Sequence, residues 1–95
     1  MARLVVFGPE GPRTYEMTGD VLTLGRSKLS DIVLEDGAAS RKHCVVRRDP
    51  EDTYTLVDEG SANGTHVNGV RVTEHSLEGE DRIKIGKTII VFKEH

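Results

Sequence analysis

The apolar positions of this chain recur mostly at every second residue, in short segments separated by turn-forming residues. In RIKIG (82–86), Ile83 and Ile85 alternate with charged residues, which gives that segment one apolar and one polar face. Short segments rich in Val, Ile, Thr and Tyr and bounded by Gly, Pro, Asn, Asp or Ser are typical of β-strands. The segments of this kind are ARLVVF, RTYEM, VLTLG, DIVL, HCVVRR, TYTLVD, THV, VRV, RIKIG and TIIVFK.

Helical periodicity is weak throughout the chain. No apolar stripe at helical spacing extends beyond about two turns, and SKLSD (27–31) could form a single turn at most. Many short strands joined by tight turns favour an antiparallel sandwich or barrel. The pattern therefore predicts an all-β domain.

Two Asn-Gly pairs lie close together in the segment DEGSANGTHVNG (58–69). Asn68-Gly69, flanked by Val67 and Val70, is the two-residue signal for a type I′ hairpin, because both central residues need positive φ. We therefore expect THV and VRV to pair. The turn does not account for the earlier run SANGT (61–65), and loops that gather at one end of a sandwich often bind ligands.

Length and composition indicate one domain over residues 1–95, which could belong to a longer protein. The single cysteine, Cys44, cannot form an internal disulfide, and the opening MARLVVFG is too short an apolar stretch for a signal peptide or membrane span. We expect a cytoplasmic protein that does not interact with membranes and is a monomer in isolation.

The formal net charge of −3 makes binding to nucleic acid unexpected. Cations are nevertheless concentrated between Gly25 and Arg48. GRSKLSD (25–31) places a glycine before an arginine at a strand end, and AASRKH (38–43) places Ser, Arg and Lys before a strand. Guanidinium groups, hydroxyls and backbone amides near glycines are the groups that bind a phosphate dianion. Neither nucleotide-binding glycine motif occurs, and we expect no cofactor.

These segments together resemble the signature of the forkhead-associated (FHA) domain family. The matching pieces, in order, are GRS at 25–27, Asp31-Ile32, SRKH at 40–43, SANGT at 61–65, VNG at 67–69 and DRIKIG at 81–86. The resemblance implies a two-sheet antiparallel β-sandwich of about eleven short strands, with binding loops at one end. It also implies recognition of phosphothreonine in partner proteins, for signalling or assembly, where the partner is the product of a Ser/Thr kinase.

The resemblance also implies roles for individual residues. Arg26 matches the arginine that contacts the phosphate, and Ser40 matches the hydroxyl that donates to it, with Arg41 able to add a contact. Asn63 matches the asparagine that binds the peptide backbone, and Gly64 lets that backbone approach. Ser61 is a further binding candidate. Gly25, His43 and Thr65 are expected to support the site.

The chain departs from the family pattern at two positions. Ala62 stands where many members have Ser or Thr, so one phosphate donor could be missing. Gly79 precedes Glu80-Asp81, whereas the family usually has Gly-Asp directly before the strand. We expect an effect on affinity at the first position and a local change in the turn at the second.

Three other functions were weighed. Ser40, His43 and Asp58 are the components of a hydrolytic triad, but no G-x-S-x-G motif occurs, and we expect no enzyme. His and Cys residues show no metal-ligand spacing, and we expect no metal. The candidates were His43, Cys44, His66, His75 and His95. The remaining alternative is a protein-interaction domain of the same fold that does not require phosphorylation.

Overall fold

The computed structural model describes residues 2–94, which form eleven β-strands. The strands are β1 (Arg3–Gly8), β2 (Gly11–Glu16), β3 (Val21–Gly25), β4 (Ile32–Val33), β5 (Cys44–Arg48), β6 (Tyr54–Asp58), β7 (Thr65–Val67), β8 (Val70–Val72), β9 (Glu74–Ser76), β10 (Arg82–Ile85) and β11 (Thr88–Lys93). Met1 and His95, the outermost positions of the expected domain, lie outside the described residues, and so does the metal-ligand candidate at His95.

The strands form two sheets. The six-stranded sheet has the order β2-β1-β11-β10-β7-β8, and the five-stranded sheet has the order β4-β3-β5-β6-β9. Strand pairs are antiparallel except β3 and β4, which run parallel. Residues 2–94 contain no helix, so these residues provide no helix that could cross a membrane. The expected two-sheet β-sandwich is confirmed.

Alternating side chains fill the space between the sheets. In β10, Ile83 and Ile85 are fully buried whereas Arg82 and Lys84 are exposed, as the period of two predicted. The largest buried apolar side chains are Leu4, Leu24, Ile32, Leu34, Leu56, Ile83, Ile85, Ile90 and Phe92. Tyr54 packs on Phe92 with ring centroids 5.3 Å apart. A single core therefore joins both sheets.

The predicted hairpin at the second Asn-Gly pair is confirmed. β7 and β8 pair in antiparallel register, with Val67 opposite Val70. Asn68 and Gly69 both have positive φ, at 50° and 85°, as a type I′ turn requires. The Asn68 side chain adds two bonds that the turn itself does not need. Its Nδ2 donates to Asp81 Oδ1 at 2.9 Å, and its Oδ1 accepts from Arg82 N at 3.0 Å.

Two features of the fold differ from the family pattern or from the strand prediction. β9 (EHS) was not predicted, because its residues are polar and show no alternation, yet it pairs with β6 as an edge strand. Glu80 adopts a φ of 71°, a left-handed conformation that favours glycine. It occupies the position where the family usually has glycine, so the departure at Gly79-Glu80 is accommodated in this turn.

Three loops leave the five-stranded sheet at the same end of the sandwich. Cys44, at the start of β5, is paired with Leu24 near the end of β3 and with Asp58 at the end of β6. The loops that follow β3, precede β5 and follow β6 therefore meet there. The Asp36 carboxylate binds the backbone NH groups of Lys87 and Thr88 in the β10–β11 turn, which lies at that end as well.

β1 and β11, near the two ends of the described chain, lie side by side in the six-stranded sheet. Arg3 is paired with Lys93, and Phe7 with Ile89. Because β11 starts at the β10–β11 turn, its last residue, Lys93, lies at the end of the sandwich opposite the three loops. Arg3 lies beside it.

Candidate functional site

The loops that follow β3 and precede β5 are joined through their backbones. Arg26 N donates to Ser40 O at 3.0 Å, and Ser27 N donates to Arg41 O at 3.1 Å. The close approach explains Gly25, because a Cβ at that position would lie 1.9 Å from Arg41 O. No side chain can be accommodated there, so Gly25 supports the site by allowing the two loops to pair.

His43 joins the loop before β5 to the loop after β6. Its Nδ1 accepts from Ser40 N at 3.0 Å, and its Nε2 lies 3.0 Å from Gly64 O. Because a carbonyl oxygen only accepts, Nε2 carries the hydrogen and donates it. The ring is fully buried. His43 therefore sets the spacing between the segments that carry Ser40 and Asn63.

The Ser40 hydroxyl is oriented by the adjacent loop. Its Oγ accepts a hydrogen bond from Ala62 N at 3.0 Å. A hydroxyl has one donor and two acceptor positions, so this bond leaves the hydroxyl hydrogen for an external acceptor. At Ala62 it is the backbone NH that contributes to the site.

Arg26 is exposed, and one of its guanidinium nitrogens is fixed to the protein. The Nε donates to Ala39 O at 3.1 Å. The four N–H groups on the two terminal nitrogens stay available in a planar fork, the geometry that matches a phosphate or carboxylate. Arg41 is also exposed, one residue after Ser40. The site thus combines two guanidinium groups with a hydroxyl.

Asn63 is exposed in the loop after β6. Its Nδ2 donates to Ala38 O at 2.9 Å and so ties this loop to the segment before Ser40. The amide has a second N–H and an acceptor oxygen, which are the two groups needed to bind an extended peptide backbone. The structure thus brings the Arg26, Ser40 and Asn63 positions to three linked loops.

The base of the Asn63 loop is built around the Asp58 carboxylate. Its oxygens accept from Ser61 N at 2.8 Å, Ser61 Oγ at 2.6 Å and Thr65 Oγ1 at 2.7 Å. Burial raises the pKa of Asp58, but the hydrogen bonds from Ser61 and Thr65 outweigh it and hold the pKa below the ordinary value. The carboxylate therefore stays charged and shapes the loop.

Ser61 was expected to be a binding residue, but the structure places it in the support of the site. The residue is buried, its hydroxyl donates to Asp58, and its Oγ accepts from Gly64 N at 3.0 Å. No hydroxyl hydrogen is left for a ligand. Thr65 is fully buried, and its hydroxyl also binds Asp58.

Comparison with known proteins agrees with this arrangement of fold and loops. The profile of the FHA domain family matches residues 22–86, more than half of the chain. The chain belongs to the FHA domain family. The match includes all three linked loops.

Curated relatives of this FHA domain include the oxoglutarate dehydrogenase inhibitor of Corynebacterium jeikeium. The two are 39% identical over 85 residues, which are 90% of this chain and 58% of the relative. The chain spans little more than half the length of the curated relatives that it matches.

Solved FHA domain structures are also similar to this one. One comes from a study of phosphothreonine-dependent FHA domain interactions, with a TM-score of 0.90 and 32% identity, and the match covers 99% of this chain and 96% of the other. Another is the FhaA FHA domain complexed with the intracellular domain of Rv3910, with a TM-score of 0.89 and 31% identity, covering 98% of this chain and all of the other.

Two residues near the loops of this FHA domain were not identified as site residues from the sequence. Asp58 was identified only as a triad member, although an aspartate at the start of a loop of small polar residues is a recognisable signal for side-chain bonds to the loop backbone. No sequence motif pointed to Arg71. Gly64 has a φ of 89°, and a Cβ on it would lie 2.7 Å from Arg71 Nε, so the Arg71 side chain lies against Gly64.

The geometry of this FHA domain does not form a hydrolytic triad. Both ring nitrogens of His43 are bonded to backbone groups, so neither can take a proton from the Ser40 hydroxyl. Asp58 binds Ser61 and Thr65 instead of orienting the histidine. Within residues 2–94, no three His, Cys, Asp or Glu residues are grouped so that they could hold a metal ion.

Proposed function

We propose that this FHA domain binds a threonine-phosphorylated segment of a partner protein, phosphorylated by a Ser/Thr kinase, and does so without catalysis. The observation that carries the proposal is the placement of Arg26, Ser40 and Asn63 on three loops that are linked by backbone hydrogen bonds and by His43. Each of the three side chains keeps at least one hydrogen-bonding group that has no partner within residues 2–94. A rigid set of donors binds an anion at low entropic cost, because little has to be ordered on binding.

Arg26 and Ser40 bind the phosphate in this proposal, and Arg41 adds charge beside them. Charge-assisted hydrogen bonds to a phosphate are stronger than neutral ones. Asn63 binds the peptide backbone next to the phosphothreonine, and Gly64, buried against the Arg71 side chain, shapes the loop that carries Asn63. Gly25, His43, Ser61 and Thr65 support these residues.

The protein acts in this proposal as a cytoplasmic adaptor or regulator and is a monomer in isolation. The similarity to a dehydrogenase inhibitor supports a regulatory role. It does not identify the partner. The occupied ring nitrogens of His43 support a site without a general base.

Isothermal titration calorimetry with a matched pair of peptides tests the proposal. We expect the phosphothreonine peptide to bind with an affinity on the order of micromolar, about −8 kcal/mol, and the unphosphorylated peptide not to bind. Equal affinity for both peptides would contradict the proposal and favour the interaction domain that does not require phosphorylation.

Substitution of Arg26 tests the role of the phosphate contact. Arg26→Ala should weaken binding by about 1.5–3 kcal/mol, the range for hydrogen bonds to charged groups. Arg26→Lys should weaken binding less, because lysine keeps the positive charge although it lacks the planar guanidinium group. The control is Arg47→Ala, an exposed arginine of β5. Urea unfolding of each variant separates lost binding from lost fold. An Arg26→Ala variant that stays folded and binds normally would remove Arg26 from the site.

A further inference from the structure

The exposed face of the six-stranded sheet carries a row of basic side chains that starts at the binding loops. In this sheet Lys84 of β10 lies opposite His66 of β7, and His66 lies opposite Arg71 of β8. Residues directly opposite each other in antiparallel strands share a face. The neighbours Ile83, Val67 and Thr65 are buried, so these three side chains point to solvent. We name Arg71, His66 and Lys84 the basic row.

The surroundings of the basic row are also cationic. Arg3, Arg82 and Lys93 lie on the same face, and Glu16, opposite Arg3, is the only carboxylate contributed to this face by the described strands. From the loop before β10, Glu80 binds Lys93. The whole chain has a net charge of −3, so this face is opposite in sign to the rest of the molecule.

The basic row is continuous with the proposed peptide site. The Arg71 side chain lies against Gly64, and Gly64 follows Asn63, the residue proposed to bind the peptide backbone. Because the exposed Arg71 lies against the buried Gly64, a peptide that passes over Asn63 meets Arg71 next. Arg26 and Ser40 lie on the loops of the other sheet, so the basic row extends the site in the direction away from the phosphate.

The positive charges of the basic row are not neutralised by neighbouring carboxylates. The ion pairs formed within residues 2–94 include neither Arg71 nor Lys84. Arg71 and Lys84 lie on the two strands that flank β7, so their charges are spread along the row. An anionic ligand that crosses the row can pair with both.

Resting on the proposed function, we infer that the basic row binds acidic residues on one side of the phosphothreonine in the same partner segment. Neighbouring strands are about 4.8 Å apart, so Arg71 to Lys84 spans about 10 Å, which is about three residues of extended chain. The row therefore selects partners that carry two or three acidic residues within a few positions of the phosphothreonine.

Calorimetry with three phosphothreonine peptides tests this inference. One has alanine on both sides of the phosphothreonine, one has three glutamates directly before it, and one has three directly after it. We expect glutamates on one side to raise affinity about tenfold, because each exposed ion pair contributes a factor of about two to five. Glutamates on the other side should have little effect.

Charge-reversal variants locate the effect. Arg71→Glu and Lys84→Glu should each reduce the gain from glutamate at least threefold, and Lys84→Glu should leave binding of the alanine peptide within about twofold. Arg47→Glu, an exposed residue of β5 in the other sheet with the same change in net charge, should keep the full gain. Urea unfolding shows that each variant is folded.

The outcomes separate the two proposals. Failure of all three peptides to bind the unsubstituted domain would overturn the proposed function. Tight binding of all three with equal affinity would leave that function intact and overturn the basic row. A gain that falls equally in Arg47→Glu would attribute the effect to overall charge and would overturn the basic row as well.

Discussion

The conformation of the Asn63 loop depends most directly on the carboxylate of Asp58. Hydrogen bonds from Ser61 and Thr65 outweigh the effect of burial, so its pKa is lower in the folded state than its ordinary value of 3.8. The unfolded state therefore takes up a proton first as the pH falls. The stabilisation from Asp58 is fully present above about pH 5 and is lost as the pH falls past the unfolded pKa and through the lower folded pKa.

Asp58→Asn tests this linkage. We expect a loss of about 1–2 kcal/mol in the free energy of unfolding at pH 7, because hydrogen bonds to a charged acceptor are replaced by weaker ones. The difference between the variant and the unsubstituted domain should shrink between about pH 5 and pH 3. Urea unfolding at several pH values measures both effects.

Glu51→Gln, at an exposed position in the β5–β6 turn, provides the control and should change stability by less than about 0.5 kcal/mol. A stability difference for Asp58→Asn that stays constant from pH 7 to pH 3 would show that the charge on Asp58 does not stabilise the loop.

The roles of some single residues depend on contacts between distant parts of the chain and could not be predicted from the sequence. Arg26, Ser40 and Asn63 could be selected because their residue types suit a phosphopeptide and their motifs are distinctive. The hydrogen bonds from Ser61 to Asp58 depend on the conformation of the loop after β6. The position of Arg71 against Gly64 depends on the register of β7 and β8, and no local pattern encodes it.

At the level of elements, the β7–β8 hairpin is held by both turn conformation and side-chain bonds. Two substitutions of Asn68 separate these contributions. Asn68→Gly keeps the positive φ and loses the bonds to Asp81 and Arg82, so we expect a loss of about 1–2 kcal/mol in stability. Asn68→Ala also places an alanine at positive φ and should lose about 1 kcal/mol more. Urea denaturation of both variants gives the two values.

The order of the two Asn68 variants is the decisive result. If Asn68→Gly were as stable as the unsubstituted domain, the bonds to Asp81 and Arg82 would contribute nothing. If Asn68→Ala were the more stable of the two, the turn conformation would not limit stability.

Most strands could be predicted because period-two alternation and turn residues are local signals. The segments RIKIG and THV-NG-VRV correspond closely to β10 and to the β7–β8 hairpin. β9 could not be predicted, since Glu74, His75 and Ser76 lack apolar alternation and form a strand only by pairing with the edge of β6. The left-handed conformation of Glu80 is likewise imposed by the surrounding turn.

At the scale of the whole molecule, the sandwich separates a rigid scaffold from the binding loops. The core joins both sheets, and the three loops, linked by backbone hydrogen bonds and by His43, lie at one end. The sequence pattern predicted an all-β sandwich or barrel, and the family resemblance supplied the two-sheet sandwich and the position of the loops. The assignment of each strand to a sheet came from the structure, because strand order depends on pairings between segments far apart in the chain.

The pairing of Arg3 with Lys93 makes the domain suitable for circular permutation. Because the start of β1 lies beside the end of β11, a short linker can join them, and the chain can be opened between Thr18 and Gly19, which are exposed in the β2–β3 loop. We expect this circular permutant to fold and to bind the phosphothreonine peptide within about threefold of the original affinity. Calorimetry and urea unfolding check this, and a folded permutant that no longer binds would show that the far end is coupled to the loops. With retained binding, the domain could be inserted into a surface loop of a host protein as a phosphorylation sensor, with both connections on one side and recognition on the other.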